Sequence, residues 1–230
     1  MRILLAALAM GLMALFGAQV QAADLPQYPE VQVPQVDYGL QGSFYLRGSV
    51  GGNLLWTQEH VTTNPGFVNK AITAGYGYSL GAGFGYEVGN GLRFDGTVDY
   101  LSNDGLTDGI DTLSLRGAVA LANAYYDIPL GGSAAAGGGW GAYLGAGVGA
   151  AWYTTHVTGA GAPADGGGWS PAVAGMAGVT YDAGSWVADL GYRLLYLPTI
   201  SNYVSGTNTS FYMHDNTVHE IRGTVRYRFQ

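Results

Sequence analysis

The sequence predicts an all-β fold: an eight-stranded antiparallel transmembrane β-barrel of up-and-down topology, preceded by an N-terminal signal peptide. Three observations carry this prediction. Glycine (39) and tyrosine (17) are abundant while charged residues make up only 11% of the chain, which suits neither a helical domain nor an ordinary soluble surface. Segments of period-two alternation recur from residue 43 to the end, the mark of strands with two unlike faces. Seven arginines fall on the strand faces opposite the large apolar residues.

The first element is Met1 to Ala22. One positive charge, Arg2, precedes an apolar run from Ile3 to Phe16 and the small-residue site Val20-Gln21-Ala22. That order is a secretory signal peptide cleaved after Ala22, and the run is shorter than the ~20 residues of a membrane-spanning helix. Residues 23–42 hold Pro26, Pro29 and Pro34 without alternation and read as an extended periplasmic lead-in. Residues 43–230 form the barrel. The longest stretch free of Asp, Glu, Lys and Arg, Ile128 to Ala164, is laced with glycine and contains Pro163. A membrane protein without spanning helices must close its sheet into a barrel.

Eight strands are expected at about 43–55, 74–88, 92–102, 111–127, 140–155, 169–182, 186–197 and 217–229. Strand two sets Tyr76, Tyr78, Leu80, Phe84 and Tyr86 against a face of Gly75, Gly77, Ser79, Gly81, Gly83, Gly85 and Glu87. Strand three sets Leu92, Phe94, Val98 and Tyr100 against Arg93, Asp95, Thr97 and Asp99. The glycines Gly145, Gly147 and Gly149 share one face of strand five. Strand seven sets Trp186, Ala188, Leu190, Tyr192, Leu194 and Tyr196 against Asp189 and Arg193. Strand eight sets Ile221, Gly223, Val225, Tyr227 and Phe229 against Glu220, Arg222, Thr224, Arg226 and Arg228.

Connections alternate in length. Those at 56–73, 103–110, 156–168 and 198–216 are long and polar, whereas Gly89-Asn90-Gly91 and Ala183-Gly184-Ser185 are tight. Long outer loops and short periplasmic turns are the outer-membrane pattern. Aromatic girdles are expected at the periplasmic ends (Phe44, Tyr86, Phe94, Trp140, Tyr181, Trp186, Phe229) and at the outer ends (Trp56, Tyr76, Tyr100, Trp152, Trp169, Tyr196).

The candidate site is the lumen. Arg47, Arg93, Arg116, Arg193, Arg222, Arg226 and Arg228 are expected there with Glu87, Asp95, Asp99, Asp189 and Glu220. An arginine facing mid-membrane lipid would cost about 2–4 kcal/mol, and inside the barrel it can pair. Eight strands leave an interior that side chains can fill, with the glycine faces making room for long arginines. A salt-bridged structural core and a polar conduit are the two readings of this network.

Other chemistry is weaker. Gly81-Ala-Gly-Phe-Gly85 and Gly145-Ala-Gly-Val-Gly149 open no helix and complete no dinucleotide fingerprint. His60, His156, His214 and His219 are expected in or beside outer loops, without ligand spacing. The acidic segment 103–111 lacks EF-hand spacing and reads as turns. A lipid A deacylase needs Ser, His and an acid on the outer wall. His219 points outward, but no serine sits two residues away. No catalytic residue, cofactor or metal is expected. The net charge of -7 argues against a nucleic-acid partner. The absence of cysteine leaves an exported fold to packing and backbone pairing.

Leu121-Ala-Asn-Ala-Tyr-Tyr-Asp127 with Gly145-Ala-Gly-Val-Gly-Ala150, Met176-Ala-Gly-Val-Thr-Tyr-Asp182 with Asp189-Leu-Gly-Tyr-Arg193, and the closing Val218 to Phe229 resemble one family. It is the small outer-membrane β-barrels of alphaproteobacteria, the opacity-type porin and surface-antigen group related to the OmpA membrane domain. The resemblance implies residence in the outer membrane of a Gram-negative cell, contact with its lipid and lipopolysaccharide, and insertion by the barrel-assembly machinery. That machinery reads a terminal strand ending in an aromatic, here Tyr227 and Phe229, although Gln230 follows. The expected function is a structural, surface-exposed role in the envelope. A porin for slow passage of small solutes and an adhesin acting through the outer loops are the alternatives.

Overall fold

A computed structural model describes residues 42–64, 67–107, 112–131, 139–158, 165–202 and 210–229. The segment expected to be a signal peptide and almost all of the expected lead-in lie outside the described residues. Eight strands are present: β1 (Ser43–Asn64), β2 (Phe67–Glu87), β3 (Leu92–Thr107), β4 (Thr112–Gly131), β5 (Gly139–Thr158), β6 (Gly166–Asp182), β7 (Trp186–Asn202) and β8 (Ser210–Arg228). Each pairs antiparallel with its sequence neighbours, and β1 pairs with β8 to close the barrel.

The tight turns form where the sequence places them. Gly89 and Gly91 have φ of 91° and 88°, a region glycine enters without steric cost. The Val88 amide donates to the Leu92 carbonyl at 2.8 Å. At the second turn Gly184 has φ of 85°, and its amide donates to Asp182 Oδ1 at 2.9 Å. The final rung ties Phe229 N to Phe44 O at 2.9 Å.

The register fixes the barrel's shape. From Leu54 the partners run His219, Leu194, Gly175, Ala146, Ala124, Phe94, Tyr86 and back to β1 at Phe44. The walk returns ten residues lower, so the shear number is 10. With about 3.3 Å per residue and about 4.8 Å between strands, the strands tilt by roughly 40°. Each residue then rises roughly 2.5 Å along the axis, which sets the two aromatic girdles roughly 25 Å apart.

Outward residues between the girdles are apolar and exposed, among them Leu46, Val50, Leu80, Val98, Val148, Leu190 and Ile221. A belt of this height and composition is what a barrel presents to hydrocarbon. All the expected girdle residues face outward in it, with Tyr86 half-buried.

Strand starts and ends on the periplasmic side agree with expectation within a few residues. So do the outer ends of β4, β5 and β6, whereas those of β1, β2, β3, β7 and β8 extend further out than expected. Most of 56–73 is not a loop: β1 and β2 remain paired up to Asn64↔Phe67. β7 runs to Asn202 and β8 begins at Ser210, so 198–216 is largely hairpin as well. Backbone pairing continues above the lipid, where the outward apolar residues that reveal a strand are no longer needed. Within 103–111, Asn103 to Thr107 belong to β3, bulged between Asn103 and Leu106 with Gly105 at φ 80°. Residues 108–111 lie outside the described residues.

Candidate functional site

The lumen has two layers of opposite character. The periplasmic layer is charged. Nearest the turns, Arg226 donates to Asp189 at 3.0 Å and to Glu87 at 2.5 Å, and Arg228 donates to Glu87 at 2.7 Å and Asp182 at 2.6 Å. Above these, Arg47 donates to Asp95 Oδ2 and to the Tyr125 hydroxyl, both at 2.8 Å. Tyr45 and Asn123 also donate to Asp95. Arg93 donates to Asp127 at 2.8 Å, and its guanidinium lies over the Tyr125 ring, 3.9 Å from the centroid. Higher still, Asp99 accepts from Arg193 at 2.5 Å and Arg222 at 2.7 Å. Glu220 accepts from Arg193 at 2.8 Å and from Ser79.

Six arginines thus meet seven carboxylates. Arg93, Arg193, Arg226, Asp99 and Glu220 are each at most 1% exposed. Charges this far from water need partners with good geometry, and alternation on seven of the eight strands delivers them. A void lined by Arg47, Arg93, Tyr125, Tyr143, Met176, Asp189, Tyr192, Arg193 and Arg222 has a volume of ≈10 Å³, room for about one water.

The glycine faces make the room that was expected, though not only for arginine. A Cβ on Gly81 would strike the Asp99 carboxylate, one on Gly85 the Tyr45 ring, and one on Gly145 the Tyr125 ring. Gly83 does border an arginine, with Arg47 Cγ 3.1 Å from where a Cβ would lie.

The outer layer of the lumen is largely apolar, with a few buried polar side chains (Asn53, Thr57, Asn103, Asn216) bonded among themselves. Leu55, Leu101, Leu115, Val119, Leu195, Leu197, Ile200, Met213 and Val218 are buried in one cluster with Tyr153. The alternation rule assigned large apolar residues to the lipid and missed this layer.

Arg116 is corrected by the same finding. It is not in the lumen. Its β4 neighbours Leu113 and Leu115 turn inward, and Arg116 faces out with its side chain 59% exposed, 3.8 Å from Asp104. It pairs in register with Thr154, two residues beyond the girdle residue Trp152, so it stands at the outer interface. A cation there costs about 0–1 kcal/mol. Asp127, Asp182, Tyr45 and Tyr125 are lumen residues the sequence reading did not assign. Their strand parity was the available signal.

The histidines lie on strands. His156 Nδ1 is 2.6 Å from Asp165, His214 is near the Thr199 hydroxyl, and the His60 side chain lies outside the described residues. His219 faces outward with the Tyr192 hydroxyl at 2.5 Å and the Trp56 ring alongside. Among the described residues, no three His or acidic side chains form a metal cage. The terminal aromatics Tyr227 and Phe229 face outward at the periplasmic girdle, with Tyr227 packed on Trp186 at 4.8 Å.

No protein-family model matches the chain, and no curated protein matches it. Solved structures do. Neisserial surface protein A is 19% identical, over 81% of this chain and 97% of its own, with a TM-score of 0.52. The outer membrane protein AlkL, solved in lipid bilayers, is 14% identical over 93% of this chain and 97% of its own, at TM-score 0.46. Ail, the attachment invasion locus protein of Yersinia pestis, is 14% identical over 80% and 98%, at 0.39. The likeness to the first is one of fold: this chain is an eight-stranded antiparallel β-barrel of the outer-membrane kind.

Proposed function

We propose that the chain is a non-enzymatic outer-membrane protein that stabilises the cell envelope and presents its outer hairpins at the surface, with a lumen closed to solutes. One observation carries this reading. The interior holds buried arginine–carboxylate clusters around a void of ≈10 Å³, under a second layer of packed apolar side chains. A solute-conducting pore needs a continuous wetted path, and dry apolar constrictions block one. Export through a cleaved signal peptide and insertion by the barrel-assembly machinery through Tyr227 and Phe229 are part of the proposal. So are contact with lipopolysaccharide and membership of the opacity-type porin and surface-antigen group.

The test is conductance of the refolded protein in planar bilayers. Current indistinguishable from protein-free membranes is expected; steady open-channel steps would overturn the closed lumen and favour the porin reading.

A second reading, surface attachment through the outer hairpins, has its own support. β1 stays paired past the girdle residue Trp56, for eight residues with β2 and seven with β8. A rigid blade standing off the membrane suits contact with another surface. Shortening the β1–β2 hairpin and measuring cell attachment tests it, and unchanged attachment counts against it. The deacylase reading has little support, since the hydroxyl beside His219 is the phenol of Tyr192 rather than a serine.

A further inference from the structure

The barrel wall is not hydrogen-bonded all the way up between β6 and β7. Their ladder ends at Val173↔Tyr196, although β6 continues out to Gly166 and β7 to Asn202. Carrying the same register outward sets Ala172 opposite Leu197, Pro171 opposite Pro198, and Gly168 opposite Ser201. In that extended register two prolines would face each other, and neither has an N–H to give a ladder. The break begins at the outer girdle, between Trp169 and Tyr196.

Pro198 also marks a bend. Its place in the β7–β8 register falls opposite Asp215, whose φ is 53°. Below that point Leu195, Leu197, Asn216 and Val218 face inward; above it Ile200 and Met213 do, each 0% exposed. The Asn216 side-chain amide donates to the carbonyls of Leu197 and Met213, both at 3.1 Å.

One side chain crosses the seam from the far side, exchanging two hydrogen bonds with Ser201, the longer from its hydroxyl to the Ser201 carbonyl at 3.4 Å. Tyr153 on β5 reaches over β6, and its hydroxyl accepts from the Ser201 amide at 2.8 Å. Gly168 leaves the path clear, since a Cβ there would lie 2.8 Å from that hydroxyl. The upper part of β7 is therefore tied across β6 by a phenol instead of a ladder.

We propose that the β6–β7 seam is a parting line built into the wall, with Tyr153 as its latch and the Pro198–Asp215 bend as its hinge. When it parts, Ala172, Leu197 and Ile200 of the apolar upper lumen meet the outer interface sideways, while the charged layer below stays closed.

The experiment is residue-resolved amide hydrogen exchange on the full refolded barrel. Tyr153→Phe keeps the ring and removes only the latch oxygen. The Ser201 amide should exchange about fivefold faster, the share of one net hydrogen bond, with Ala174–Tyr181 unchanged. Restoring donors with Pro171→Val and Pro198→Val together should slow exchange along 168–172 and 199–201. Acceleration of Ser201 by less than about twofold, or equal acceleration along all of β6, overturns the latch. Seam amides as slow in the unaltered protein as those of Ala174–Tyr181, or unslowed in the double valine variant, overturn the parting line.

Discussion

Replacing Asp99 by alanine removes the carboxylate that bridges Arg193 and Arg222. Asp99 is 0% exposed, and its two oxygens accept at 2.5 and 2.7 Å from the two guanidiniums. Breaking a buried ion pair on one side costs about 3–5 kcal/mol, because the partner's charge is left uncompensated. Arg193 keeps Glu220 at 2.6–2.8 Å, and Arg222 keeps Ser49, so the lower end, about 3 kcal/mol, applies. With a urea slope of about 2 kcal/mol/M, the unfolding midpoint should fall by about 1.5 M. Urea titration in lipid vesicles, followed by tryptophan fluorescence and by the gel shift between unboiled and boiled protein, reads this directly. Asp99→Ala combined with Arg193→Met takes away one of the stranded charges and should recover part of the loss. A midpoint for Asp99→Ala within about 0.3 M of the unaltered protein would refute the view that the network holds the barrel together.

Gly145→Leu drives a side chain into the Tyr125 ring, 2.3 Å from the new Cβ, and should destabilise by about 1–3 kcal/mol in the same titration. Val50→Arg places a cation on the lipid wall midway between the girdles, where Val50 is exposed, and should cost about 2–4 kcal/mol. Arg116→Ala should change the midpoint by less than the equivalent of about 0.5 kcal/mol, its pair with Asp104 being long and exposed. A large loss there would restore Arg116 to the lumen network.

Much of the barrel was legible because alternation has a fixed meaning between the girdles: apolar residues face lipid and charges face each other. The inward faces of β3, β7 and β8 could be read residue by residue on that rule, as Asp95, Arg193 and Arg222 illustrate. The rule inverts at the outer end. There the outer surface meets water and headgroups while the interior is apolar, so Leu113 and Leu115 point in and Arg116 points out. A periodic pattern reports two unlike faces without saying which is which. The hairpin extensions were hidden for a related reason: without outward apolar residues the run Thr62, Thr63 and Asn64 resembles loop. Pro171 and Pro198 stand in the sequence, but their opposition follows only from extending the β6–β7 register outward beyond Val173↔Tyr196.

The ion pairs also constrain the order in which the molecule can be made. Arg222 meets Asp99 across 123 residues of chain, and Arg226 meets Glu87 across 139. An incomplete sheet, with β8 not yet docked on β1, would hold Asp99 and Glu87 in place before the cations of the last strand arrive. Such a sheet cannot enter hydrocarbon strand by strand without stranding charge in it. The chain must therefore remain in a wetted environment until its C-terminal strand closes, and insertion and closure become a single late event.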